Sequence, residues 1–327
     1  ELHILVLYNN IKEIKGGCNV SAYGIHHVSA ITKDIIENHD FFTQLLGHRL
    51  VKKTVNQDSP DMYHLFYSDY KGTPGTDVTF FEIGMAPKFT EGTNSISRII
   101  LRVPSVDSIE YFRTRMEEFG VYHEGIVDYF TETIMKFSDE EGQRFALLAD
   151  SEYNDSEPYA GGGNIPLEYA VTGIFGVELT VQYLKPMVEF LQLLGGKYDG
   201  DIDNANEARI RFGQDSVFVV ESRTTNVEKQ GYGSVHHFSL RVKDESALEE
   251  IRERVTKEKW QNSGIVDRHY FKALYINAVG NITVEISTDT PGFTIDEPLE
   301  TLGESLSLPP FLEEQRDFIE MRLHPLN

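Results

Sequence analysis

Cysteine is nearly absent from this chain. Cys18 is the only one, so no internal disulfide can form and stability must come from packed apolar cores. A reducing, cytoplasmic setting is the natural expectation. Long hydrophobic runs are absent as well. No stretch is long enough to cross a bilayer as a helix, and Leu5-Val6-Leu7 is too short for a signal-peptide core. Basic residues are scarce: 30 Lys and Arg stand against 52 Asp and Glu, a net charge of −22. Such a surface repels nucleic acid phosphates and anionic lipid, so neither nucleic acid nor membrane is an expected partner.

What the chain does have is length and apolar content. Its 327 residues, 40% hydrophobic and 11% aromatic, suit two domains of ordinary size. The organising signal is internal repetition. Tyr23-Gly-Ile-His-His-Val-Ser-Ala30 returns as Gly233-Ser-Val-His-His-Phe-Ser-Leu240, at an offset of 210 residues. Each segment is rich in β-formers and precedes a helical pattern. Ile35, Phe42, Leu45 and Leu46 mark the first helix, and Leu248, Ile251 and Val255 the last. Two further copies lack the His pair. Ser95 to Val103 precedes a helix carrying Ile109, Phe112, Met116 and Phe119. Gly176 to Val181 precedes one carrying Met187, Phe190, Leu191 and Leu194. Short strand patterns follow each helix, so modules of the form βαβββ are expected to begin near residues 24, 95, 174 and 233. The Gly- and Pro-rich stretch from Asp150 to Pro166 reads as a linker between module pairs. Residues 1–22 read as an extension outside the fold.

Side chains alternate along a strand. His27 and Ser29 therefore share one face and His237 and Ser239 share another; His26 and His236 are expected to point away and pack, with orientation of the neighbouring histidines as the second reading. In the last strand Thr283, Glu285 and Ser287 share the face opposite Ile282, Val284 and Ile286. Glu285 follows His237 by 48 residues, one module length. If each module curls into a cup, His27, His237 and Glu285 can meet at its mouth as two imidazoles and a carboxylate with open coordination positions, a set that suits Fe(II) and O2. Mn(II) accepts the same donors. Either His pair alone reads as half-buried strand residues, and Glu285 alone as a solvated acid. Two pairs at matching points of a repeat, with a carboxylate one module later, favour the ligand reading. Aligning Thr79-Phe-Phe81 with Thr283-Val-Glu285 puts Phe81 in the register of Glu285 and leaves Glu82 and Glu221 structural. His64 is expected to pack or to line a pocket.

The motifs Gly24-Ile-His-His-Val28, Leu50-Val-Lys-Lys-Thr54, Tyr63-His-Leu65, Gly72-Thr-Pro-Gly-Thr76, Val235-His-His-Phe238, Asp267-Arg-His-Tyr-Phe271 and Val284-Glu-Ile286 resemble those of ring-cleaving dioxygenases of the glyoxalase/bleomycin-resistance (vicinal oxygen chelate) superfamily, hydroquinone-type branch. The resemblance runs from about Tyr23 through Leu308-Pro-Pro-Phe311 into the tail. It implies an α+β fold of four βαβββ modules paired into two glyoxalase-like domains. The expected division is 1–22 extension, 23–150 N-terminal domain, 151–170 linker, 171–290 C-terminal domain and 291–327 tail with a helix. It implies Fe(II) on His27, His237 and Glu285, and catalytic support from Arg268 and Tyr275. A small aromatic diol and O2 are the implied substrates. An open sheet edge could pair subunits into a homo-oligomer. Three other readings stand beside this one: a catechol extradiol dioxygenase, a glyoxalase-type metal isomerase or lyase, and a non-catalytic small-molecule binding protein.

Overall fold

The computed structural model describes residues 20–153 and 155–326. Residues 1–19, most of the expected extension, lie outside them. Val20 to Ala22 do not belong to an extension: Ala22 N–H donates to the Leu194 carbonyl at 3.0 Å and Arg254 donates to the Val20 carbonyl at 2.5 Å.

The first segment runs β1 (Ile25–Thr32), α1 (Ile35–Asp40), a π-helical turn (Phe41–Leu45), β2 (Arg49–Asn56), β3 (Ser59–Ser68) and β4 (Asp77–Glu82). The second runs β5 (Ser95–Val103), α2 (Val106–Phe119), β6 (His123–Tyr129), β7 (Glu132–Ser138) and β8 (Arg144–Ala149). The third is shorter: β9 (Gly173–Val181), α3 (Leu184–Leu193), β10 (Glu207–Phe212) and β11 (Asp215–Glu221). The fourth runs β12 (Ser234–Val242), α4 (Glu245–Lys257), β13 (Asn262–Asp267), β14 (Phe271–Asn277) and β15 (Thr283–Pro291). The third segment thus departs from the expected three strands after its helix, and Lys197 keeps only an isolated bridge to Arg211. Helix starts follow capping chemistry. Asp34, Ser105 and Asp244 accept backbone N–H groups of α1, α2 and α4, and Gly120 ends α2 in the left-handed region (φ 72). The tail carries a short α5 (Arg316–Glu320).

Two curled sheets result. One has the order β13-β14-β15-β12-β1-β4-β3-β2, the other β10-β11-β9-β5-β8-β7-β6. The first segment therefore shares a sheet with the fourth, and the second with the third, so the expected pairing of neighbours along the chain is not how the strands bond. The reason lies at β1. Its edges are filled by β4 in parallel and by β12 in antiparallel, which leaves β5 to pair with β9. The sheets pack through the backs of these central strands, where Val28 and Phe238 meet the same buried core as Ile99 and Val177. The 151–170 stretch is docked on the first segment: Glu157 N–H donates to Asp69 at 3.0 Å, and Ile165 and Ala170 are buried.

One irregularity recurs. Where β1 meets β12, two residues oppose one at His26 and again at His236. Where β5 meets β9, the same happens at Ser97 and Phe175. These are β-bulges, which kink a strand and re-aim its side chains.

Candidate metal centre

His27 stands on β1, His237 on β12 and Glu285 on β15, three adjacent strands at the centre of the eight-stranded sheet. All three side chains are buried. Glu285 Oε2 lies 2.8 Å from His237 Nε2 and 3.3 Å from His27 Nε2, and the two Nε2 atoms are 3.3 Å apart. Among the described residues these are the one group of three His, Cys, Asp or Glu side chains whose ligand atoms all lie within 4.8 Å of one another.

The bulges overturn the expectation that His26 and His236 face away. Each is the extra residue of its bulge, so strict alternation fails there. His26 Nδ1 lies 3.0 Å from His27 Nδ1, and His236 Nδ1 lies 2.7 Å from His237 Nδ1. His26 Nε2 is also 3.2 Å from the Thr288 carbonyl, which can only accept. Nε2 of His26 must then carry its proton, and Nδ1 is left as an acceptor. That assignment puts a proton on Nδ1 of His27 and aims the Nε2 lone pair at Glu285. Burial lowers His26 far below its ordinary value, and it lowers His236 to about 4, so both stay neutral. Sequence reading weighed an orienting role for this pair but set packing above it, because a bulge has no signature in a strand of two consecutive histidines.

The carboxylate is held from behind. Ser287 Oγ donates to Glu285 Oε1 at 2.8 Å, and Ser239 Oγ donates to Ser287 Oγ at 2.8 Å. Oε2 is fully buried with no conventional hydrogen-bond donor beside it among the described residues. Two Nε2 atoms and this oxygen converge at separations that a cation with ligand distances of about 2.0–2.2 Å spans. The donor set is two imidazoles and one carboxylate, which leaves coordination positions open.

The triad opens into a cavity of about 230 Å³. Phe66, Phe81, Ile83 and Phe271 supply apolar wall, and the Phe271 ring centroid lies 5.3 Å from that of His27. Arg268 and Tyr275 both line it. Arg268 Nε donates to the Tyr275 hydroxyl at 3.0 Å, and the guanidinium reaches Asp58 at 3.1 Å. Tyr275 pairs with Glu285 across β14 and β15, which sets the phenol beside the triad. Burial, reinforced by Glu285, raises its pKa, so the phenol keeps its proton.

Residues 24–147 match the family model described as the Glyoxalase/Bleomycin resistance protein/Dioxygenase superfamily. The chain is also 43% identical over 311 residues to MhqA of Bacillus subtilis (strain 168), a protein assigned as a ring-cleaving dioxygenase; the match covers 93% of this chain and 98% of MhqA. The chain belongs to this superfamily. It is 26% identical to a chlorohydroquinone/hydroquinone 1,2-dioxygenase of Sphingobium indicum, over 90% of this chain and 94% of that protein. The crystal structure of a protein assigned as a dioxygenase from Bacillus subtilis superposes with a TM-score of 0.88 at 29% identity, covering 94% and 98% of the two chains.

Within the superfamily fold, the two halves of the site can be compared position by position. Ser239 pairs with Glu285 on one side, and Ser29 pairs with Thr79 on the other. Thr79, not Phe81, therefore occupies the register of Glu285. The earlier alignment slipped by two residues, a shift that preserves strand face and so leaves no trace in the hydrophobic pattern. The seven-stranded sheet carries Gly176, Arg98 and Ala146 at the positions of His27, His237 and Glu285, which gives that half no ligand set.

Proposed function

We propose that this protein is a mononuclear non-haem Fe(II) dioxygenase that opens the ring of hydroquinone-type diols with O2. The observation that carries the reading is the convergence of His27 Nε2, His237 Nε2 and Glu285 Oε2 beneath a largely apolar cavity. The relatives' assignments as ring-cleaving dioxygenases, and the naming of one as a hydroquinone dioxygenase, point the same way. Fe(II) on these three residues would supply Lewis acidity toward a diol oxygen and electron transfer toward O2, and Mn(II) accepts the same donors.

The chain's own residues have separable tasks. Arg268 donates to Tyr275, which leaves the phenol's own proton free to point at a substrate oxygen. Together they hold that oxygen and favour its ionised form. Phe66, Phe81 and Phe271 hold the ring and exclude water. Thr79 at the fourth register position weighs against a glyoxalase-type isomerase, whose chemistry usually takes a further carboxylate or amide ligand there. A catechol substrate is the second reading, because the triad itself serves either diol.

The test is O2 uptake by protein prepared without oxygen and loaded with Fe(II), against a panel of hydroquinones and catechols, with His237→Ala and Glu285→Ala in parallel. Uptake with hydroquinones that both variants abolish is the expected result. Uptake with catechols alone would change the substrate class. No uptake with any diol, despite stoichiometric iron, would overturn the dioxygenase reading.

A further inference from the structure

The two ends of the eight-stranded sheet meet at the cavity. At one end, the edge strand β2 turns into β3 at Gln57-Asp58; at the other, the edge strand β13 stops at Asp267, beside Arg268. Gln57, Asp58 and Arg268 all line the cavity. Gln57 Nε2 donates to the Arg268 carbonyl at 2.9 Å, and Asp58 Oδ2 lies 3.1 Å from Arg268 Nη2. The carboxylate is braced within its own turn, where the Asp58 N–H donates to Asn56 Oδ1 at 2.9 Å.

Arg268 is the one Lys or Arg that lines the cavity among the described residues. Other polar groups there are held close to their own strands: His64 Nε2 lies 2.9 Å from Thr79 Oγ1, and His236 Nδ1 lies 2.7 Å from His237 Nδ1. The Arg268 backbone is pinned too, since its N–H donates to the Phe271 carbonyl at 2.9 Å and its carbonyl accepts from Tyr270 at 2.8 Å. Its long side chain is a separate matter. An arginine side chain gives up about 2 kcal/mol of rotamer freedom when it is fixed. Nε meets the Tyr275 hydroxyl at 3.0 Å, a neutral partner. Asp58 supplies the charged one, at the other edge of the group. Because a guanidinium is planar, a partner on Nη2 also fixes where the Nε–H points.

We propose that Asp58 is a positioning residue: from the β2–β3 turn it holds the Arg268 guanidinium so that Nε–H stays on the Tyr275 hydroxyl. The part that this plays in turnover rests on the dioxygenase reading above. Asp58 is 75% exposed, so its ion pair adds little to folding and its effect lies in the orientation of Arg268.

Two measurements test this. The first follows hydrogen exchange of the Arg268 Nε–H signal by NMR in metal-free protein, with the signal assigned by its loss in Arg268→Met. Wild type should show a protected signal, and Asp58→Asn should exchange several-fold faster at an unchanged melting temperature. The second is a double-mutant cycle on O2 uptake by the Fe(II)-loaded protein with the best diol. Asp58→Asn should lower kcat/KM about threefold to fivefold, the range of an exposed ion pair, and should have no further effect in an Arg268→Met background. Unchanged protection in Asp58→Asn, an equal loss with and without Arg268, or a loss matched by a lower melting temperature would each overturn the assignment. Failure of the dioxygenase reading is distinguishable: wild type would then take up no O2 with any diol, while the exchange measurement would still decide whether Asp58 holds Arg268.

Discussion

Thr79 stands in the first half of the site where Glu285 stands in the second: each pairs in parallel with the serine two residues beyond its ligand histidine, Ser29 after His27 and Ser239 after His237. The pseudo-symmetric sheet thus repeats one pair of positions twice, filled by His27 and Thr79 in one half and by His237 and Glu285 in the other. With a metal on the three that could bind one, a hydroxyl at the fourth would leave coordination open for substrates.

Placing a carboxylate at that position should close the site. Thr79→Glu is expected to retain or strengthen divalent metal binding, measured by elemental analysis after desalting, while O2 uptake with the best diol falls at least about tenfold. It also deprives His64 of its Nε2 partner. Full activity in a metal-replete Thr79→Glu protein would show that Thr79 does not face the coordination sphere.

Metal should stabilise the fold through the same atoms. A cation that binds only the native state at about 100 times its Kd adds about 2.7 kcal/mol. Chelation should therefore lower the melting temperature of wild type, and added Fe(II) under anaerobic conditions should restore it. Glu285→Ala should show neither response. A metal-dependent melting shift that survives in Glu285→Ala would place the ion elsewhere.

His48 should make the protein acid-sensitive. It is buried against Phe42, both ring nitrogens lack hydrogen-bond partners among the described residues, and burial lowers its pKa from the ordinary 6.5 to about 4. Between those values the unfolded chain binds the proton and the native state does not. Stability is therefore lost as pH falls from about 6.5 toward 4 and is fully present above 6.5. The linkage amounts to about 2 kcal/mol between pH 7 and pH 5. Urea unfolding at the two pH values should show that difference shrinking in His48→Phe; an unchanged difference would sink the assignment.

Lys52 ties the tail to the wall of the cavity. It is fully buried on β2, where it contacts Glu297, lies 2.7 Å from Asp296 and sits over the Tyr270 ring at 4.8 Å. Tyr270 donates to Asp296 at 2.9 Å and lines the cavity beside Phe271. Lys52→Met strands the buried Glu297 carboxylate and should cost about 3–5 kcal/mol in chemical denaturation. Diol affinity should fall with it, because Tyr270 loses its anchor. A stable variant with unchanged affinity would show that the tail is dispensable to the site.

Much of this was written locally in the chain. The segment starts, the helices and their caps, and the face shared by Thr283, Glu285 and Ser287 follow from periods of 3.6 and 2 that any window of residues displays. The His27, His237 and Glu285 set was legible because a repeated His pair and a carboxylate one module later are rare in combination. What the sequence could not fix was which module pairs with which. Strand partners are chosen by edges available in three dimensions, so the alliance of first with fourth segment, and the placing of Gly176, Arg98 and Ala146 in the register of His27, His237 and Glu285, appeared only in the assembled fold. The bulges at His26 and His236, the register that makes Thr79 the counterpart of Glu285, and the orientation of His64 belong to the same class. Each depends on contacts between strands far apart in the chain, and a local hydrophobic pattern is indifferent to them.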